Sequence, residues 1–168
     1  QRDDPEVDCA ERRQRRAEQR AQLDPKDKGD YRGHGVVAER QGAGCIVECR
    51  VRDNHVAFLF RDGAGAMVEG CTIERNETYG LLFERGAKGG AAKCVVTRNK
   101  LSQVVVTGEG TSPTLDGLHI HDSISNGVQV DLDASPRIVG CVIHNVNGSA
   151  VACVEGGAPK VEDCLMFN

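Results

Sequence analysis

Tryptophan is absent from this 168-residue chain, which has only four phenylalanines and two tyrosines. Large aromatic anchors therefore cannot fill its interior, and aliphatic residues, alanine and cysteine must do so instead. No apolar run approaches the ~20 residues that span a bilayer, and the N-terminus lacks the apolar core of a signal peptide. No membrane partner is expected. An excess of positive charge is also missing. The formal net charge is −4, which argues against nucleic acid as the main partner, because phosphate binding needs a basic surface. The eight cysteines include no C-x-x-C spacing that would mark a metal or redox motif. They read as free thiols used as small hydrophobes, which places the protein in a reducing, cytoplasmic compartment. The sequence begins at Gln1, so organelle targeting stays open.

Glycine is plentiful, with 20 residues, and so is repetition. The stretches "SPTLDGLHIHD", "SPRIVGCVIHN" and "APKVEDCLMFN" place Pro113, Pro136 and Pro159 at intervals of 23 residues. A reference column runs Cys49, Cys71, Cys94, Leu118, Cys141, Cys164, with steps of 22, 23, 24, 23 and 23. Two residues later stand Val51, Ile73, Val96, Ile120, Ile143 and Met166. Three residues earlier stand Ile46, Val68, Ala91, Leu115, Ile138 and Val161. A further column, Asn54, Asn76 and Asn99, lapses to Ser123 and Val146. It fits a bend at which asparagine adopts left-handed backbone.

The second half of each unit repeats a small residue followed by apolar, any, apolar. It appears as "GVVA", "AFLF", "GLLF", "GVQV" and "AVAC", with "QVVV" the least regular. Period-two alternation bounded by Gly, Asn, Asp and Pro predicts strands. A unit this small buries its inward residues only by stacking on its neighbours. Residues 33–168 are therefore predicted to form an all-β, right-handed parallel β-helix of about six coils, 22–24 residues each. Leucine-rich repeats share the period, and "VEGCTIERN" imitates their spacing, but here the second half of the unit alternates as strand rather than helix. Residues 1–32 form a separate charged arm, helical or disordered; residues 1–30 carry 8 basic and 9 acidic side chains, and "ERRQRRAEQR" holds five arginines.

These repeats resemble those of the pectate-lyase-like superfamily, and most nearly the carbohydrate-binding and sugar-hydrolase type found in β-helix F-box-only proteins. The resemblance covers residues 33–168 and implies either polysaccharide chemistry or a non-catalytic interaction module. The chain departs from the pattern by placing Cys where many such repeats carry Asn, and it shows no F-box-like segment.

Sugar chemistry needs paired carboxylates, or carboxylates that hold Ca²⁺. "RGHG" around His34 matches the Gly-His-Gly of polygalacturonases only superficially, since "PRIVG" supplies none of the lysine that should accompany it. Asp131 and Asp133 are the best acidic pair, and they read as solvated turn acids. With Ile120 and Ile143 inward, His119, His121 and His144 face outward, and His121 and His144 share a column. Together with Asp131 they form a candidate polar or metal surface, or a carbohydrate-binding face. No catalytic residue, metal ion or cofactor is assigned.

A second outward column reads Val37, Leu59, Leu82, Val105, then Gln129 and Ala152. Contiguous apolar surface marks an interface, so this row predicts a protein partner or a larger assembly, the alternative being cover by the N-terminal arm or a loop of the same chain. The coil ends are second candidates, because "CLMFN" closes the sequence without a polar cap; more protein or a partner is expected there. The reading is an interaction or scaffold module, with a carbohydrate-binding or polysaccharide-active domain as the alternative.

Overall fold

The computed structural model describes residues 33–168, and the expected charged arm at 1–32 lies outside the described residues. Eighteen short strands follow one another, and every third strand joins the same sheet. The first sheet holds β1 (Val36–Ala38), β4 (Phe58–Phe60), β7 (Leu81–Phe83), β10 (Val104–Thr107), β13 (Val128–Asp131) and β16 (Val151–Cys153). The second holds β2 (Cys45–Val47), β5 (Met67–Glu69), β8 (Gly90–Ala92), β11 (Thr114–Asp116), β14 (Arg137–Val139) and β17 (Lys160–Glu162). The third holds β3 (Arg50–Arg52), β6 (Thr72–Glu74), β9 (Val95–Thr97), β12 (His119–Ser123), β15 (Val142–Val146) and β18 (Leu165–Phe167).

All pairings are parallel, so three strands make one coil and six coils make the solenoid. The repeat columns become ladders in this register. Ile46, Val68, Ala91, Leu115, Ile138 and Val161 pair in turn. So do Val51, Ile73, Val96, Ile120, Ile143 and Met166. In the middle coils these side chains are fully buried and form one continuous core with Phe58, Phe60, Leu81 and Phe83. Phe60 and Phe83 stack with ring centroids 4.7 Å apart. Phe58 lies beside Leu81 in the same register, so three buried rings and their aliphatic neighbours fill this part of the core.

The corners on either side of the third sheet turn at single residues in left-handed backbone, whereas the corner between the first and second sheets takes two, as at Asp62 with Gly63 and Leu132 with Asp133. Between the second and third sheets the single residues are Glu48, Gly70, Lys93, Gly117, Gly140 and Asp163. The reference cysteines come immediately after. Cys71 Sγ donates to the Glu69 carbonyl at 3.4 Å, and Cys94 Sγ to the Ala92 carbonyl at 3.2 Å. Cys49 N donates to Cys71 Sγ at 3.3 Å. The thiol column therefore closes the corner as well as filling it.

After the third sheet the left-handed residues are Asp53, Arg75, Arg98, Asp122 and Asn145, each one ahead of the position that the asparagine column suggested. Asparagine serves the bend through its amide instead. Asn54 N donates to Asn76 Oδ1 (3.1 Å), and Asn76 N to Asn99 Oδ1 (3.0 Å). At the next coil Gln103 takes over: its Oε1 accepts from Asn99 N at 3.0 Å, and its Nε2 donates to Ser123 Oγ at 3.0 Å. The irregular "QVVV" is thus the place where a longer amide reaches across to continue the ladder, and Gln103 is wholly buried.

Candidate functional site

In a β-helix the inward columns are dictated by packing, so only the outward columns are free to carry function. The first of these is on the outer face of the first sheet. Strand pairing sets Val37 beside Leu59, Leu59 beside Leu82, Leu82 beside Val105, and Val105 beside Gln129. Their sequence neighbours Phe58, Phe60, Leu81, Phe83, Val104 and Val106 are core residues, and none of the four row members belongs to that core cluster. The alternation of a strand therefore points the row away from the core. Its exposure is uneven. Val37 is 43% exposed and Leu82 is intermediate, whereas Leu59 and Val105 each retain only 5%. Leu59 and Val105, the second and fourth members, are thus already withdrawn from water, contrary to a row exposed along its whole length.

The row gives way to a polar group at the fifth coil. Gln129 Nε2 donates to Asp131 Oδ2 at 3.0 Å, and Ser102 Oγ donates to Gln129 Oε1 at 3.2 Å. Asp131 Oδ1 is buried without a hydrogen-bond partner. Asp131 lies on β13 of the first sheet, paired with Thr107, so it does not share a face with the histidines. The expectation that Asp131 completes a histidine surface is corrected here: two strands of one coil that are separated by a corner belong to different sheets. Asp133 is an exposed turn residue with left-handed backbone.

The second outward cluster is on the third sheet. His121 pairs with His144, and their rings stack at 5.3 Å with planes within 6°. The Phe167 ring stacks on His144 at 5.0 Å. The hydrogen-bonded pair is nevertheless the diagonal one: His119 Nε2 and His144 Nε2 are 2.9 Å apart. Two neutral imidazoles at that distance share one proton, one donating and the other accepting. Burial, with His121 and His144 close by, depresses the pKa of His119.

His121 is fixed from its other edge. Its Nδ1 lies 3.1 Å from Asp122 Oδ2 and 3.2 Å from Thr97 Oγ1. A carboxylate only accepts, so Nδ1 bears a proton, and in the neutral tautomer this fixes, Nε2 is the nitrogen with the lone pair. Asn145 donates a short hydrogen bond to Asp122, and this bond, with His121 and Arg98 beside it, holds the Asp122 carboxyl below the usual range. The left-handed corner places Asp122 next to its histidine. The sequence shows only that Asp122 follows His121; its part in orienting the ring follows from the corner geometry.

Other candidates are weaker. His34 is exposed at the first coil, with its ring 5.9 Å from that of His55. A shallow depression of about 430 Å³ is lined by Asp53, Arg75, Glu77, Arg98 and Lys100 on the turns that follow the third sheet. Cys94 and Cys141 are pushed up to about 11, chiefly by burial, which leaves them poor nucleophiles. Among the described residues no group of three or more His, Cys, Asp or Glu side chains stands ready to hold a metal ion.

A protein family described as the right-handed β-helix region matches residues 34–168. No curated protein and no solved structure matches the chain.

Proposed function

The chain belongs to the right-handed β-helix family, and from that premise we propose that it is a rigid, non-catalytic interaction module that binds a protein partner through the outer face of its first sheet. The observation that carries this reading is the in-register apolar row Val37, Leu59, Leu82 and Val105, set outside the core. The interior of the solenoid does not require these outward positions to be apolar in four successive coils, and Val37 and Leu82 keep apolar surface open to solvent. Four members spaced ~4.8 Å apart make a strip ~14 Å long, suited to an apolar segment laid along the solenoid axis. Contacts begin at Val37 and Leu82, which retain solvent, while Leu59 and Val105 form the dry floor between and beyond them.

The acids support a non-catalytic reading. Asp131 pairs in register with Thr107 rather than with another carboxylate, and its outer oxygen is engaged by Gln129. No stack of carboxylates on successive coils is available there for Ca²⁺ or for acid–base work on a sugar.

The test uses a photoreactive residue at position 82 of the full chain, exposed to extract from its source cells. A cross-linked adduct of defined mass is expected, and Val37→Asp should abolish it while the β-sheet circular dichroism spectrum persists. An adduct that survives Val37→Asp, or turnover of a pectin or alginate panel by the unmodified protein, would overturn the reading.

A further inference from the structure

The row on the first sheet leaves the imidazole cluster of the third sheet unexplained. We propose that His119 and His144 chelate a divalent transition-metal cation of the nickel(II) or copper(II) kind, bridging the fourth and fifth coils. Their Nε2 atoms are 2.9 Å apart and both rings stand on the outer face. Two imidazoles in adjacent positions of a tetragonal ion, with bonds of about 2.0 Å, place their nitrogens about 2.8 Å apart; a tetrahedral ion with similar bonds needs about 3.3 Å. The observed separation matches the former. A cation that displaces the shared proton then has both Nε2 lone pairs to draw on, after a small rotation of the two rings.

The surroundings hold the pair in place. Phe167 stacks on His144, and His121 stacks on its other side, so the ring has little freedom to turn away. The His121 ring is 4.7 Å from that of His119. Its Nδ1 is committed to Asp122 and Thr97, which leaves Nε2 as an additional donor in the arrangement that carboxylates commonly impose on metal-binding histidines. Two fixed imidazoles, with water or His121 in the remaining positions, make an open site and not the closed four-ligand cage of a structural zinc. Imidazole donors suit nickel and copper, and affinity rises along the divalent series toward copper.

Nickel(II) alone, added to the full chain, is the appropriate probe, because the exposed thiols Cys45, Cys49 and Cys153 would reduce copper(II). Paramagnetic broadening of the histidine ring resonances should reach His119 and His144 at substoichiometric metal, before His34 and His55. In calorimetric titration His119→Ala and His144→Ala should each lose affinity by about tenfold or more, whereas His34→Ala should bind as the parent does. Both substituted side chains face outward; if either alanine variant loses its β-sheet spectrum, His119→Asn carries the same expectation. Broadening that reaches His34 or His55 first, or nickel affinity unchanged in His119→Ala or His119→Asn, overturns the proposal.

Discussion

On the first sheet the outward column reads Val37, Leu59, Leu82 and Val105; on the third sheet one outward column reads Thr97, His121, His144 and Phe167. The same parallel register builds both, and both stack like on like. Yet one face is aliphatic and partly dry, and the other is imidazole-rich, hydrogen-bonded and tied to Asp122. The inward columns of the two sheets are by contrast both apolar throughout, Val and Ile ending in Met on the third and Val, Leu and Phe with Ala and Cys at the ends on the first. Packing explains what the two interiors have in common. It does not explain how the two exteriors differ, so the difference is where function is to be sought.

The contrast can be broken most strongly from inside. Phe60→Ala removes a ring that is fully buried and stacked on Phe83, and it should cost about 3–5 kcal/mol in urea unfolding. His121→Ala, outward on the third sheet but stacked on His144 and bonded to Asp122 and Thr97, should cost about 1 kcal/mol or less. Near-equal costs would mean that inward and outward had been misassigned. Asn76→Ala should fall between these, at about 1–3 kcal/mol, because it strands the Asn54 amide and unlinks Asn99. A loss confined to a few tenths would show that the amide ladder is ornamental.

Acidification sharpens the comparison with the smallest effect. His34 and His119, although exposed, resist protonation in the folded protein relative to their ordinary 6.5, through partial desolvation and then through the neighbouring imidazoles. The unfolded chain therefore binds more protons near that value, and stability falls as pH drops through 6.5. Below the ordinary carboxylate range Asp122 adds to the loss, because Asn145 and His121 favour its ionised form in the fold. The urea midpoint should decline from pH 7.5 to pH 5.5, by less than Asn76→Ala costs; removing both histidines should flatten that decline.

Much of the fold was legible because a 23-residue period fixes register: once Cys71 lies over Cys94, the apolar columns must coincide too. The number of strands per coil was not legible, since Gly70 and Cys71 look the same in sequence whether they end a strand or turn a single-residue corner. The placement of Asp131 failed for the same reason, as a corner assigns neighbouring strands to different sheets. Gln103 was missed because it occupies the small-residue position of its unit, and only three dimensions show its amide meeting Asn99. The diagonal contact of His119 with His144 likewise depends on side-chain direction, whereas the pairing of His121 with His144 follows from spacing alone.

The account rests most on the claim that the outer face of the first sheet, not that of the third, engages a protein. The direct test is capture from source-cell extract by the immobilised full chain, run in parallel with Leu82→Asp and His121→Asp variants that retain the β-sheet spectrum. The account predicts that a specific partner band is lost with Leu82→Asp and kept with His121→Asp. A band kept with Leu82→Asp, or lost with His121→Asp alone, would contradict it.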